Sequence, residues 1–169
     1  MTENAHRVRV AAPQDAEGVS AVLEQSYPIL MKSSYDDSVL ASALKYMTKA
    51  NPTLLGSGSY FVAESEEGCV VGCGGWTVAR PGDGKVQSQV GHVRHFGTHP
   101  NWTRRGIGKA IYRACEVSAR AAGITRLECY SSLNAEMFYS ALGFDRLRRI
   151  DIEIGDRVSF PGILMRRAI

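Results

Sequence analysis

Apolar positions recur along the chain in two registers, every second residue in some stretches and every third or fourth in others. After a short strand (VRVAA) and a turn at Pro13, a helix is predicted from about Asp15, with Val19, Val22 and Leu23 inward. Tyr35 to Ala50 repeats the helical spacing through Val39, Leu40, Ala43, Leu44 and Met47, and NPTLLGSGS breaks it. YFVAES and CVVGCGGWTVA flank the turn residues EEG and predict a hairpin. RPGDGKVQ reads as a loop and VGHVRHFGT as a further strand. From Arg105 to Ala122 the spacing is helical again, with Ile107, Ala110, Ile111, Ala114, Val117 and Ala121 inward and Gly123 as the C-cap. Arg113, Glu116 and Arg120 are spaced for local ion pairs on the outer side. TRLECY is a strand, NAEMFYSAL a short helix closed by Gly143, RIDIEI a strand with Ile150, Ile152 and Ile154 on one face, and FPGILMRR the last strand.

The resulting order, β-α-α-β-β-β-α-β-α-β-β, is neither strict alternation nor strands followed by helices. It predicts an α/β (α+β) fold: a mixed, mostly antiparallel central sheet of about seven strands with helices on both faces. The crossover from strand 90–98 through the long helix to strand 125–130 is expected to be parallel and right-handed.

At 169 residues, 44% hydrophobic, the chain suits one domain over residues 1–169. The net charge is +3, and its basic pairs (Arg104/Arg105, Arg148/Arg149, Arg166/Arg167) are scattered, which argues against nucleic acid. No run approaches the roughly 20 apolar residues of a membrane span, and MTENAHRVRV lacks a secretory apolar stretch, so no membrane and a cytoplasmic location are expected. Cys69, Cys73, Cys115 and Cys129 form no CxxC and are expected as reduced packing thiols in strands and a helix. No metal site is expected: His92 and His95 face opposite ways on a strand, and His95 and His99 lie about 13 Å apart at strand rise.

The segment TRRGIGKAI opens the long helix. It fails as a phosphate loop of the GxxxxGK[ST] kind, because Thr103 holds the first-glycine position and Ala110 the hydroxyl position. It fails as GxGxxG because Ile111 holds the third glycine position. What remains is a helix N-terminus whose free amides and dipole favour an anion, two glycines that permit close backbone approach, and Arg104 and Arg105 beside them. A pyrophosphate fits there without magnesium.

HVRHFGTHPNWTRRGIGKAI followed by LECYSSLNAEMFYSALGF resembles the GCN5-related N-acetyltransferase family over residues 90–144, and more loosely over the whole chain. The family pattern is a strand, R/Q-x-x-G-x-G/A opening a helix, another strand, and a short helix carrying Asn and Tyr before Gly-Phe. One departure is Thr103, which stands where Arg or Gln is expected. The resemblance implies an acyl-CoA N-acyltransferase fold, with acetyl-CoA as cosubstrate bound by residues 90–144 and residues 1–60 on the acceptor side. It implies that the cofactor arm pairs with backbone around Phe96, Gly97 and Thr98, and that the pyrophosphate lies on Arg104, Arg105, Gly106, Ile107, Gly108 and Lys109. Asn134 matches the asparagine that contacts the arm, and Tyr139 the tyrosine near the sulfur. The acceptor is expected to be a primary amine of a small molecule or peptide, attacked directly in a ternary complex; dimers are common in such families, which leaves a homodimer open.

Tyr139 is the expected general acid, since a phenol with pKa near 10 can donate to a leaving thiolate. Strand alternation puts His92, Arg94, Phe96 and Thr98 on one face, and the resembling family often has an acidic residue where His92 stands. His92 is therefore the expected base, and His95 follows if a bulge breaks the alternation. On the acceptor side, SYPILMKSSYDD offers Tyr27, Met31, Tyr35, Asp36 and Asp37, and GDRVSFPGI lies nearby in order. Two other readings stay open, a non-catalytic acyl-CoA-binding module and an unrelated nucleotide binder.

Overall fold

The computed structural model describes residues 5–169. Strands β1 (His6–Val10), β2 (Tyr60–Ser65), β3 (Val70–Thr77), β4 (Val90–Thr98), β5 (Arg126–Ser132), β6 (Asp145–Ile154) and β7 (Val158–Ala168) form one sheet. Their spatial order is β1-β2-β3-β4-β5-β7-β6. Every neighbouring pair is antiparallel except β4 and β5, which run parallel as the intervening helix requires. The helices are α1 (Ala16–Leu30), α2 (Asp37–Met47), α3 (Pro52–Leu55), α4 (Ile107–Ala121) and α5 (Glu136–Ala141). No helix among the described residues is long and apolar enough to cross a membrane.

The sheet separates two apolar clusters. One packs α1 and α2 through Val19, Leu23, Tyr27, Leu40 and Ala43 against Tyr60, Val62 and Phe160. The other packs α4 and α5 through Ile107, Ile111, Cys115 and Tyr139 against Phe61, Val93 and Leu127. Helices therefore cover both faces, as the element order predicts.

Three local readings change. The stripe that α4 buries is Ile107, Ile111, Tyr112, Cys115 and Ala119. Val117, expected inward, is 70% exposed, and Ala121 is exposed too, because the buried stripe is centred near Cys115, from which Val117 lies about 160° and Ala121 about 120° round the helix. Glu116 pairs with Arg120 at i,i+4 as expected, and also reaches Arg167 of β7. The NPTLL segment is a short helix and not a simple break: the Asn51 side chain accepts from the Thr53 and Leu54 amides, and Pro52 sits at its first position. Cys73, Cys115 and Cys129 are buried, whereas Cys69 is exposed in the turn before β3.

The first strand and first helix are tied by charge. Arg9 donates two bonds of 2.8 Å to Asp15 and one of 2.7 Å to Glu64, and the Ala12 amide also donates to Asp15. The Arg9 hydrogen bonds hold the Asp15 carboxyl below its ordinary 3.8. The unfolded chain takes up that proton more readily, so the stabilisation is complete above the ordinary value and drains away as pH falls through the lower folded one. Asp15→Asn is expected to cost about 1–3 kcal/mol at pH 7. Urea unfolding from pH 7 to pH 3 checks this, and the gap between variant and wild type should close as the medium becomes acid.

Candidate active site

Strands β4 and β5 pair only through Val90–Arg126, Gly91–Leu127 and His92–Glu128, and then separate. The cause is one extra residue in β4. Gly75 of β3 pairs with Arg94 and Cys73 with Gly97, so His95 and Phe96 together face Gly74. His95 takes a left-handed φ of 54°. Strand β5 stays paired with β7 from Arg126 to Ser132 and does not follow the bend. The gap opens a cavity of about 700 Å³, large enough for a sizeable ligand.

Buried hydroxyls hold the bulge. Tyr60 donates to the His95 carbonyl at 2.8 Å, and Tyr27 to the Phe96 carbonyl at 2.7 Å. A Cβ at Gly74 would stand 2.5 Å from the Phe96 ring, so only glycine leaves that ring its place. Past the bulge, Gly97 pairs with Cys73 and the His99 amide donates to Val71. The alternate residues, Phe96 before Gly97 and Thr98 after it, therefore turn their backbone groups toward the gap. Of those groups, the Phe96 carbonyl is already held by Tyr27.

At the far end of β4 the chain enters α4 through two left-handed residues, Arg104 (φ 61°) and Gly106 (φ 76°). The first amide bonded within the helix is that of Ala110, to Gly106. The amides of Ile107, Gly108 and Lys109 are left free at the mouth of the gap, at the positive end of the helix dipole. Gly108 lets α5 approach: a Cβ there would stand 2.9 Å from the Phe138 ring. Thr103 donates its hydroxyl to the Pro100 carbonyl at 3.0 Å and so closes the preceding turn. Arg105 lies with its guanidinium 4.8 Å over the Trp102 ring and does not line the cavity. Of the two arginines expected beside an anion, Arg104 borders the cavity, whereas Arg105 is stacked on tryptophan.

Tyr139 is 5% exposed, edge-on to Phe138, Phe144 and Phe96, with its hydroxyl beside the Cys129 thiol. Burial pushes the tyrosine well above its ordinary pKa, and it pushes Cys129 to about 12, so both stay protonated. Asn134 lines the same cavity from the turn between β5 and α5. That turn is anchored by Tyr35, which accepts from the Leu133 amide and donates to the Pro161 carbonyl.

His92 and His95 part company. His92 is 4% exposed, stands opposite Thr77 and Glu128, and does not line the cavity. His95 does line it, on the side of α1 and α2, while Phe96 joins the α4 and α5 cluster. The alternation that grouped Phe96 with His92 thus fails at the extra residue. The His95 Nε2 lies 2.8 Å from the Met47 carbonyl, which can only accept, so Nε2 carries the hydrogen and Nδ1 the lone pair of the neutral ring. Burial lowers the His95 pKa, with Arg94 pulling the same way and the Met47 bond opposing.

The remaining expected positions, Gly97, Thr98, Arg104, Gly106, Ile107, Gly108 and Lys109, all border the cavity. Tyr27 and Met31 line it as well, whereas Tyr35, Asp36 and Asp37 do not. Sequence reasoning missed Met47, Ile152 and Ile154, which complete its apolar wall; the alternation of RIDIEI marked the last two as one face without saying what they face. Among the described residues no group of three or more His, Cys, Asp or Glu side chains could hold a metal ion.

Residues 23–144 match the acetyltransferase (GNAT) family. Among curated proteins none matches the chain. A GCN5-related N-acetyltransferase structure from Rhodopseudomonas palustris, also named as a class-II aminotransferase, shares 21% identity over 100% of this chain and 99% of its own, with a TM-score of 0.76. The PaiA N-acetyltransferase of Thermoplasma acidophilum, solved in complex with coenzyme A, is 16% identical over 98% and 99% of the two chains, at 0.70. A mosquito arylalkylamine N-acetyltransferase, like 5b, is 14% identical over 98% and 100%, at 0.65. At these identities the likeness is one of fold.

Tyr27→Phe leaves the buried Phe96 carbonyl without its donor. A loss of about 1–3 kcal/mol in urea unfolding is expected, with an unchanged slope. Faster amide hydrogen exchange at residues 96–98 should accompany it.

Proposed function

The chain belongs to the acetyltransferase (GNAT) family, and from that premise we propose that it moves an acetyl group from acetyl-CoA to the primary amine of a small molecule or peptide, by direct attack in a ternary complex. One observation carries this reading: a single gap in the sheet has free helix amides at one end and a buried, protonated tyrosine and a neutral histidine along it. The amides of Ile107, Gly108 and Lys109 bind the pyrophosphate, with Arg104 and Lys109 adding charge. Phe96 and Thr98 offer the cofactor arm a strand edge, and Asn134 contacts it from the β5–α5 turn.

In this reading the amine nitrogen attacks the thioester carbon, the C–N bond forms and the C–S bond breaks. His95 takes the amine's proton on Nδ1, and Tyr139 hands its phenolic proton to the departing thiolate. His95 replaces His92 in the base role because it borders the cavity and His92 does not. Cys129 is left out of the chemistry, since a thiol held at about 12 is inert as a nucleophile.

Free-thiol release from acetyl-CoA across an amine panel tests the reading. Tyr139→Phe should lower kcat by about a hundredfold or more while binding CoA normally. Wild-type kcat should fall on the acid side through a value below the ordinary imidazole 6.5, as His95 becomes protonated, and His95→Gln should abolish that limb. Arg105→Ala should leave CoA affinity unchanged, whereas Arg104→Ala should weaken it severalfold. Tight CoA binding with no thiol release for any amine would make the chain an acyl-CoA-binding module instead.

A further inference from the structure

The cavity is sided in its charge. Among the described residues its walls hold no aspartate and no glutamate. Arg104 and Lys109 sit at the α4 end, where the pyrophosphate belongs. A third cation, Arg94, lies upstream of Thr98 across the bulge; it stands opposite Gly75 where Thr98 stands opposite Gly72, about 10 Å away at strand rise. It is half-buried, its one side-chain hydrogen bond is to the neutral Thr77 hydroxyl at 3.2 Å, and among the described residues it forms no ion pair. A guanidinium drawn partly out of water without a counter-charge is costly unless something supplies one. The same cavity has apolar wall from Leu30, Met31, Met47, Ile152, Ile154 and Phe160.

Tyr130 borders both this cavity and a neighbouring hollow of about 430 Å³ whose walls hold Arg148 and Arg149 against the single acid Asp151. Positive charge therefore prevails in this adjoining hollow as well. A polyamine or a lysine side chain entering the cavity would find no carboxylate on its walls to hold its ammonium, and in the adjoining hollow only Asp151, set against two arginines. A molecule that brings its own carboxylate would neutralise Arg94, with its amine one residue away from it along β4, at His95.

We propose that the acceptor is a small amine carrying its own carboxylate beside an apolar side chain, the chemistry of a free apolar α-amino acid, and that Arg94 binds that carboxylate. The inference rests on the acetyl-transfer reading. The carboxylate takes no part in bond making; it places the amine, and the products are the N-acetyl amino acid and CoA.

The test uses the full chain with acetyl-CoA and follows thiol release. The probes are leucine, methionine and phenylalanine, their amides, the corresponding decarboxylated amines, and spermidine. The free acids should exceed their amides in kcat/KM by on the order of tenfold to a hundredfold, the value of a charge-assisted bond. Arg94→Gln should erase that preference and Arg94→Lys should keep part of it, with CoA affinity by calorimetry unchanged in both. Equal or faster turnover of the amides, the amines or spermidine overturns the inference alone, as does an Arg94→Gln enzyme that keeps the preference. Should Arg94→Gln not fold, the wild-type series and Arg94→Lys decide. Silence from the whole panel, or no binding of CoA, overturns the acetyl-transfer reading and this inference with it.

Discussion

One surplus residue in β4 governs the site. With His95 and Phe96 set against Gly74 alone, the strand bends while β5 remains bound to β7, and a gap opens where the two parallel strands would otherwise have zipped up. A bulge of this kind strands backbone groups, and buried carbonyls without donors each cost about 1–3 kcal/mol. The tyrosines at 27 and 60 reach across from α1 and β2 to supply donors. The opening is thus held from the α1 and α2 face of the sheet, by groups that belong to the packed core. This ties the stability of the α1 and α2 core to the shape of the site.

The bulge also explains what was legible in the sequence and what was not. Element order, the parallel crossover and the two-faced covering follow from periodicity, and the structure has them. The glycine loop could be placed at a helix start because glycine and helix spacing are local signals. Side-chain direction was less secure wherever it depended on a count. On α4, Val117 is apolar yet 70% exposed, and Tyr112 and Ala119 hold the stripe it was credited with. On β4, a single inserted residue reverses every later assignment of face, which is why Phe96 left the company of His92. Nothing in VGHVRHFGT announces that insertion, because it is set by the partner strand, where three consecutive small residues (Cys73, Gly74, Gly75) leave room for it. Likewise Arg105 looked equivalent to Arg104 until the left-handed turn between strand and helix separated them.

Burial acts on the proposed acid and base in opposite directions, and both resting states are the useful ones. Desolvation keeps Tyr139 protonated and His95 neutral. The same shifts make the tyrosine a weaker acid and the histidine a weaker base, which taken alone would slow proton transfer. Cys129 resolves the difficulty, because it is a thiol lodged beside the Tyr139 hydroxyl and its pKa there is about 12 instead of the ordinary 9.0. A leaving thiolate released at that position meets the same desolvation and becomes a correspondingly stronger base. Its demand for a proton rises with the reluctance of the phenol to give one. An amine drawn into the cavity is affected in the matching sense: its ammonium form is disfavoured, so less is asked of His95. Desolvation shifts the donor and the acceptor of each pair in the same direction, toward the matching under which proton transfer contributes most to rate.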